Sequence, residues 1–326
     1  MTTTALVAIF SDTEAWTIPR ARVDDLGRLF PDARFLHAES EEAMVRLIPA
    51  ADVAFTSRLT ERAFAAASAL RWVHSPAAGV GSMLFPAMRS SPVVLSNSRG
   101  MNAVAVAEHA LMLMLACARR LPEAVRAQAG RRWIANELSG LPSLRGRTLL
   151  VVGLGAIGRE LAGMASGLGM RVLGTRRETG DPVPEGVSEA HGPSALPALL
   201  PRADFVVLAA PLTPETHGMM GEAELALMKP SAWLVNVARG KLVDEQALVR
   251  ALEARAIAGA ALDVFEHEPL ADASPLWTMP GVLLTPHVAG FREEYWEAAT
   301  ALFAANLRRY LAGEAVANIV DKRAGY

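Results

Sequence analysis

Three charged or titratable residues stand just after apolar runs in the C-terminal half of the chain: Arg239 in "LVNVARGKLVDEQAL", Glu268 in "ALDVFEHEPL" and His287 in "TPHVAG". Their types suit one kind of chemistry. A histidine is the natural proton donor near neutral pH to an oxygen that gains negative charge during a reaction. A glutamate beside it favours the imidazolium by charge and hydrogen bonding. An arginine presents a planar fork that clamps a carboxylate and polarises a neighbouring carbonyl. The set fits reduction of a ketone next to a carboxylate, given a source of hydride. Taken singly each residue is ordinary, and His287 alone reads equally well as a structural histidine.

A candidate hydride source is written upstream, in "LLVVGLGAIGRELAGMASGLGMRVLGTRRETG". Gly153, Gly155 and Gly158 form G-x-G-x-x-G directly after an apolar strand and directly before a helical pattern. In that setting the first glycine permits a tight turn, the second a close approach of pyrophosphate, and the third the packing of helix on strand. An Asp or Glu about 20 residues further on would bind the ribose 2'-hydroxyl of NAD. Here the second strand ends in Thr175-Arg176-Arg177, with Arg176 eighteen residues past Gly158. A guanidinium forks onto a phosphate where a carboxylate would repel it, so the expected cofactor is NADP(H), with NAD(H) as the alternative. A solvated arginine pair without a ligand is the competing reading.

The elements that must position these groups follow from periodicity. In the first third, "ALVAIF", "ARFLHA", "DVAFT" and "LRWVHSPA" alternate with the helical patterns "RVDDLGRLF", "SEEAMVRLI" and "TERAFAAA". Strands alternating with helices argue for parallel βαβ units. A long apolar helix is expected over residues 103–120, and the Gly-, Pro- and Arg-rich "LPEAVRAQAGRRWIANELSGLPSLRGR" reads as a connecting segment. The alternation then resumes: strand 148–153, helix 157–168, strand 171–175, a short helix near 195–200 and strand "DFVVLAA". Helix "EAELALM", strand "AWLVNVA", helix "DEQALVRALEA" and strands "GAALDVF" and "VLLTPH" complete it. Near-continuous apolar strands imply a sheet covered on both faces. The fold class is therefore α/β, with two domains carrying parallel sheets. The last helical pattern, "REEYWEAATALFAANLRRYLAG", follows the glycine-bearing domain and is expected to return to the first one. The domain assignment is 1–98 with 291–326 for the substrate domain and 99–290 for the dinucleotide-binding domain, the active site lying in the cleft between them.

Composition narrows the partners. At 326 residues two domains are the better starting assumption. Lys+Arg 32 against Asp+Glu 34 leaves a net charge of -2, with no electrostatic footprint for nucleic acid or an anionic membrane. One cysteine, Cys117, excludes an internal disulfide and reads as a small buried residue. The N-terminus lacks the pattern of a signal peptide, and the apolar tract 103–118 is interrupted by Glu108 and His109, so the expected place is the cytoplasm. No metal is expected: His267 sits between two glutamates, but consecutive loop residues rarely converge on an ion. Glu108 and His109 read as a packing pair, and Trp133, Trp296 and Met83 as core residues before cleft-lining or dimer-contact ones.

The ordered set GLGAIG, VNVARG, DVFEHEP and TPHVAG resembles the D-isomer-specific 2-hydroxyacid dehydrogenase family. "AAGVG", "VAEHALMLMLA" and "NIVDKRAGY" match in place too, so the resemblance covers nearly the whole chain. It implies two Rossmann- or flavodoxin-like domains and a homodimer built largely through the nucleotide domain. It implies that Arg239, Glu268 and His287 are catalytic, with Arg239 also binding substrate, and that Ala78, Gly79 and Val80 offer backbone amides to the substrate carboxylate. Cofactor contacts are implied for Gly153, Gly155, Ala156, Ile157, Gly158, Thr175, Arg176, Arg177, Ala210, Pro211, Val237, Ala238, Asp263 and Gly290, with Asp263 accepting from the nicotinamide amide. The missing ribose acid resembles the NADPH-preferring glyoxylate and hydroxypyruvate reductase branch. The chain departs from the family pattern at Gly81, where Asp or Asn is usual, and at Phe291-Arg292 after TPHVAG. The expected reaction is reduction of a 2-oxoacid to a D-2-hydroxyacid. An NAD-dependent dehydrogenase of another 2-hydroxyacid and a dinucleotide-sensing, corepressor-like module are the alternatives.

Overall fold

The computed structural model describes residues 2–326. The chain divides into two compact units, residues 1–101 with 292–326 and residues 102–291.

The first unit is built on β1 (Thr4–Ala8), β2 (Arg34–His37), β3 (Val53–Thr56), β4 (Trp72–Ser75) and β5 (Val94–Asn97), all parallel in the order β2-β1-β3-β4-β5. Successive residues of a strand face opposite sides, and β1 has both sides covered. Leu6 and Ala8 join the cluster holding Met44, Met83, Met88 and Leu95, whereas Ala5 and Val7 face Phe55, Trp72 and Phe303. Phe303 belongs to the helix Tyr295–Leu311, which lies in this unit although it follows the second in sequence. Its ring stacks on Phe55 with centroids 4.3 Å apart and on Trp72 at 5.4 Å.

The second unit carries β6 (Thr148–Val152), β7 (Arg171–Thr175), β8 (Glu189–His191), β9 (Phe205–Leu208), β10 (Trp233–Asn236), β11 (Gly259–Leu262) and β12 (Val282–Leu284). They form one parallel sheet in the order β12-β11-β10-β9-β6-β7-β8. The order reverses between β6 and β9, and such a reversal opens a crevice at the carboxyl ends of the strands. The helices Ala103–Ala118 and Ala156–Gly167 cover one face through Ala107, Leu113, Leu161 and Ala165.

Several expectations are corrected. The connecting segment after residue 120 contains the helix Leu121–Ala129, which begins with Pro at its first turn. Only Ala127 in it is buried, so it has no apolar stripe for periodicity to reveal. β5 ends in buried Ser96 and Asn97, which break the apolar run, and β8 has only three half-buried residues. The apolar runs of β10 and β11 overshoot their strands, because Val237, Ala238, Val264 and Phe265 stay buried after leaving the ladder. Trp133 is not core but 94% exposed, whereas Met83 is fully buried and Trp296 half-buried. Cys117 is buried, and burial pushes its thiol up to about 12. Among the described residues no helix is long and apolar enough to cross a membrane, and no His, Cys, Asp and Glu cluster suits a metal ion.

Removing the Phe303 ring would leave a cavity between two stacked aromatic partners, which costs about 3–5 kcal/mol in well-packed cores. Phe303→Ala is expected to bring the first chemical-unfolding transition to markedly lower urea, and an unchanged midpoint would contradict the packing described.

Candidate active site

Because every strand of the second sheet runs the same way, the turns after β6, β7, β9, β10, β11 and β12 open on one edge. The glycine turn lies beside the reversal point. Gly153 has φ +107, and a Cβ there would stand 2.7 Å from the amide nitrogen of Ala210; a Cβ on Gly158 would stand 2.2 Å from the Gly153 carbonyl oxygen. Nothing lies within 4 Å of the Cβ position of Gly155, and no side chain caps the helix that starts at Ala156. A tight, backbone-lined turn feeding an uncapped helix start fits a pyrophosphate. Ala156 and Gly155 are exposed, Ile157 is half-buried, and Thr175, Val237 and Ala238 lie buried beneath. Ala210, Pro211 and Gly290 complete the edge on neighbouring loops.

The arginines behave differently from one another. Arg176 donates through Nη1 to the Pro182 carbonyl at 2.9 Å and through Nη2 to that of Asp181, folding the loop after β7 back on itself. Its Nε is buried without a hydrogen-bond partner. Arg177 is exposed and lies 3.4 Å from Glu178.

Glu268 and His287 meet directly, with His287 Nδ1 2.6 Å from Glu268 Oε2. A carboxylate can only accept, so Nδ1 carries the proton. The other oxygen, Oε1, accepts from the Phe265 amide at 3.0 Å. Burial pushes the Glu268 pKa up, but the hydrogen bonds from His287 and Phe265 with the charges of His287 and Arg239 outweigh it, and the net shift is downward. Arg239 is half-buried, and burial lowers its pKa against the opposing pull of Glu268. Asn236 shapes its loop, donating to the Arg239 carbonyl at 2.9 Å and accepting from the Ala238 amide at 3.1 Å. The loops of Arg239 and Glu268 touch through backbone: a Cβ on Gly240 would fall 1.8 Å from the Phe265 carbonyl carbon.

Asp263 has a task that its sequence context did not reveal. It is 1% exposed, and its carboxylate accepts from the Thr285 hydroxyl at 2.6 Å, the Val288 amide at 3.0 Å and the Ala289 amide at 2.9 Å. It therefore holds the loop that bears His287, itself in the left-handed region at φ 54. Since Thr285 gives its only hydroxyl proton to Asp263, His109 Nε2, 3.0 Å away, must donate to Thr285. His109 is thus part of the site's support rather than a partner of Glu108. No local signal could have shown this, because His109 and Thr285 are 176 positions apart.

Residues 111–289 match the family model "D-isomer specific 2-hydroxyacid dehydrogenase, NAD binding domain". The chain belongs to this family. It is 35% identical to a glyoxylate reductase of Thermococcus gammatolerans over 94% of each chain. A D-isomer specific 2-hydroxyacid dehydrogenase from Xanthobacter autotrophicus Py2, solved with NADPH and MES, superposes with a TM-score of 0.85 at 33% identity, covering 99% of this chain and 100% of that one. A D-3-phosphoglycerate dehydrogenase of Methanocaldococcus jannaschii is also 35% identical, but the match covers 86% of this chain and only 54% of that protein. The chain thus spans about half the length of that curated relative. The family's dinucleotide domain coincides with the edge that carries Gly153, Arg239, Glu268 and His287.

A group whose pKa is lowered on folding stabilises the fold above its ordinary value, here 4.5, and loses that contribution as pH falls through the lowered one. Between about pH 5 and about pH 3, Glu268→Gln is expected to lose less thermal stability than the wild type. Parallel melting curves for the two proteins would show that the carboxylate contributes nothing.

Proposed function

We propose that the protein reduces a small 2-oxoacid, of the glyoxylate or hydroxypyruvate kind, to a D-2-hydroxyacid, with NADPH preferred over NADH. The observation that carries this reading is the 2.6 Å contact of His287 Nδ1 with Glu268, on the sheet edge that also bears the glycine turn and Arg239. A reduced nicotinamide dinucleotide would supply the hydride. Gly153, Gly155 and Gly158 with the backbone of Ala156 and Ile157 would seat its pyrophosphate. Thr175, Ala210, Pro211, Val237, Ala238 and Gly290 would line its path, and Asp263 would accept from the carboxamide with its remaining Oδ2 lone pair.

The chain's own residues do the rest. Arg239 pairs with the substrate carboxylate and polarises the adjacent carbonyl. Negative charge grows on that oxygen as hydride reaches carbon, and imidazolium His287 transfers one proton to it, giving a hydroxyl and a neutral ring. Glu268 accepts from Nδ1 and so orients the ring. Ala78, Gly79 and Val80, in the first unit, offer amides to the carboxylate; that unit is read as the substrate domain and the second as the dinucleotide domain.

NADPH preference is supported by Thr175-Arg176-Arg177 at the end of β7, where a ribose-binding acid would stand, with Glu178 lying beyond that spot. Arg176 already organises its loop, so the exposed Arg177 is assigned the 2'-phosphate. The T. gammatolerans relative is named for glyoxylate reduction, and the X. autotrophicus structure holds NADPH, which favours the same reading. A homodimer is the proposed assembly. The helices Ala103–Ala118 and Leu121–Ala129 and the turn beyond them expose Met112, Leu121, Val125 and Trp133, and a second copy of this chain is the occupant that the family resemblance implies.

The test is oxidation of NADPH and NADH with glyoxylate, hydroxypyruvate, pyruvate, and a branched and an aromatic 2-oxoacid. His287→Ala is expected to lower kcat by about 10²–10⁴ with dinucleotide affinity intact. Arg177→Ala is expected to raise the KM for NADPH about tenfold while sparing NADH. Equal use of both dinucleotides by the wild type would remove the phosphate assignment, and silence with every pair would move the reading to a dinucleotide-sensing module. Val125→Glu with Trp133→Glu is expected to halve the mass seen by sedimentation; an unchanged mass would place the contact elsewhere.

A further inference from the structure

In the first unit a buried polar chain runs beneath the loop 75–80, and none of the residues forming it was singled out by sequence. Trp72 Nε1 lies 2.8 Å from Ser96 Oγ, which lies 2.7 Å from His74 Nδ1. His74 Nε2 is 3.2 Å from Ser98 Oγ, and that hydroxyl is 2.9 Å from the Ser75 carbonyl oxygen. The ends fix the direction, since an indole N–H can only donate and a carbonyl can only accept. Ser98 gives its proton to Ser75, so His74 must donate from Nε2. The Nδ1 of the neutral ring then accepts from Ser96, whose oxygen accepts from Trp72. His74 is fully buried, and burial pushes its pKa down to about 3, which keeps the ring neutral.

The neighbouring carbonyls are also held. The hydroxyl of Tyr295 donates to the Pro76 carbonyl at 3.1 Å, the Ser98 amide to Ala77 at 3.2 Å, and Asn97 Nδ2 to Ala78 at 2.6 Å. Four consecutive carbonyls, of residues 75–78, are thus drawn in one after another. A peptide unit is planar and trans, so its N–H points opposite to its C=O. Holding the carbonyls of Ala77 and Ala78 turns the amides of Ala78 and Gly79 the other way. Both residues are exposed, and neither amide finds an acceptor among the described residues. Two adjacent outward amides suit the charge of an anion.

We propose that His74, Asn97, Ser98 and Tyr295 are positioning residues that aim the Ala78 and Gly79 amides at the carboxylate of the substrate. This rests on the 2-oxoacid reading above. The residues never touch the substrate; they fix peptide planes that would otherwise rotate, and so lower the cost of ordering the loop when the carboxylate arrives.

Two near-isosteric variants separate positioning from folding. Asn97→Asp keeps the oxygen that accepts from the Arg99 amide but faces the Ala78 carbonyl with a lone pair, and Tyr295→Phe removes only the hydroxyl. Each is compared with the wild type in steady-state kinetics on the best 2-oxoacid of the panel, with NADPH affinity and melting temperature measured alongside. The expected result is a rise of about tenfold in the KM for the 2-oxoacid with Asn97→Asp and a smaller rise with Tyr295→Phe. NADPH affinity is unchanged in both. Wild-type KM values in folded variants overturn the positioning role alone. Loss of 2-oxoacid and NADPH affinity together, in step with melting temperature, overturns it in favour of a general structural role. A wild type that turns over no 2-oxoacid overturns the functional reading and this inference with it.

Discussion

A single buried carboxylate organises the second unit's chemistry. An isolated charge in a protein interior is costly, and Asp263 is tolerated because three donors, all from residues 285–289, converge on it. The same bonds leave that loop little freedom, and they hold His287 in a backbone conformation that residues with a side chain seldom adopt. With the loop fixed, the imidazole meets Glu268 at hydrogen-bond distance, and Glu268 is tied by its other oxygen to the Phe265 amide. Phe265 in turn lies against Gly240, one residue from Arg239. Three loops thus share one set of constraints.

The first unit reaches a comparable end by other means. No charge is buried at its loop; neutral donors capture carbonyls one by one, and the amides of Ala78 and Gly79 are left pointing outward. In the second unit side chains are presented and backbone supports them. In the first, backbone is presented and the side chains of His74, Asn97, Ser98 and Tyr295 support it.

Much of this was legible in the sequence, for physical reasons that also mark where legibility stopped. Strands covered on both faces must be apolar at every position, so the runs around residues 148–152, 205–208 and 233–236 stood out. Gly153 and Gly158 could be read because backbone crowding admits nothing else there. Arg239, Glu268 and His287 were visible as charges placed just after apolar strands. β5 was not, since its last residues are polar and buried through hydrogen bonds that periodicity does not encode. Nor was the support of Asp263 by Thr285 and His109, or of Ser75 by Ser98, because a hydrogen bond between distant positions leaves no local pattern. Arg176 was read from charge alone, whereas its geometry shows a guanidinium already engaged with carbonyls of its own loop.

The placement of the helix Tyr295–Leu311 in the first unit bears on how the chain is made. A ribosome delivers β1 to β5 long before it delivers Phe303, and until then the faces of Phe55 and Trp72 lack the ring that stacks on them. The second unit has no such debt to later sequence, since residues 102–291 are contiguous. During synthesis the middle of the chain can therefore reach its final packing first, while the N-terminal sheet waits, partly uncovered, for the last helix to emerge.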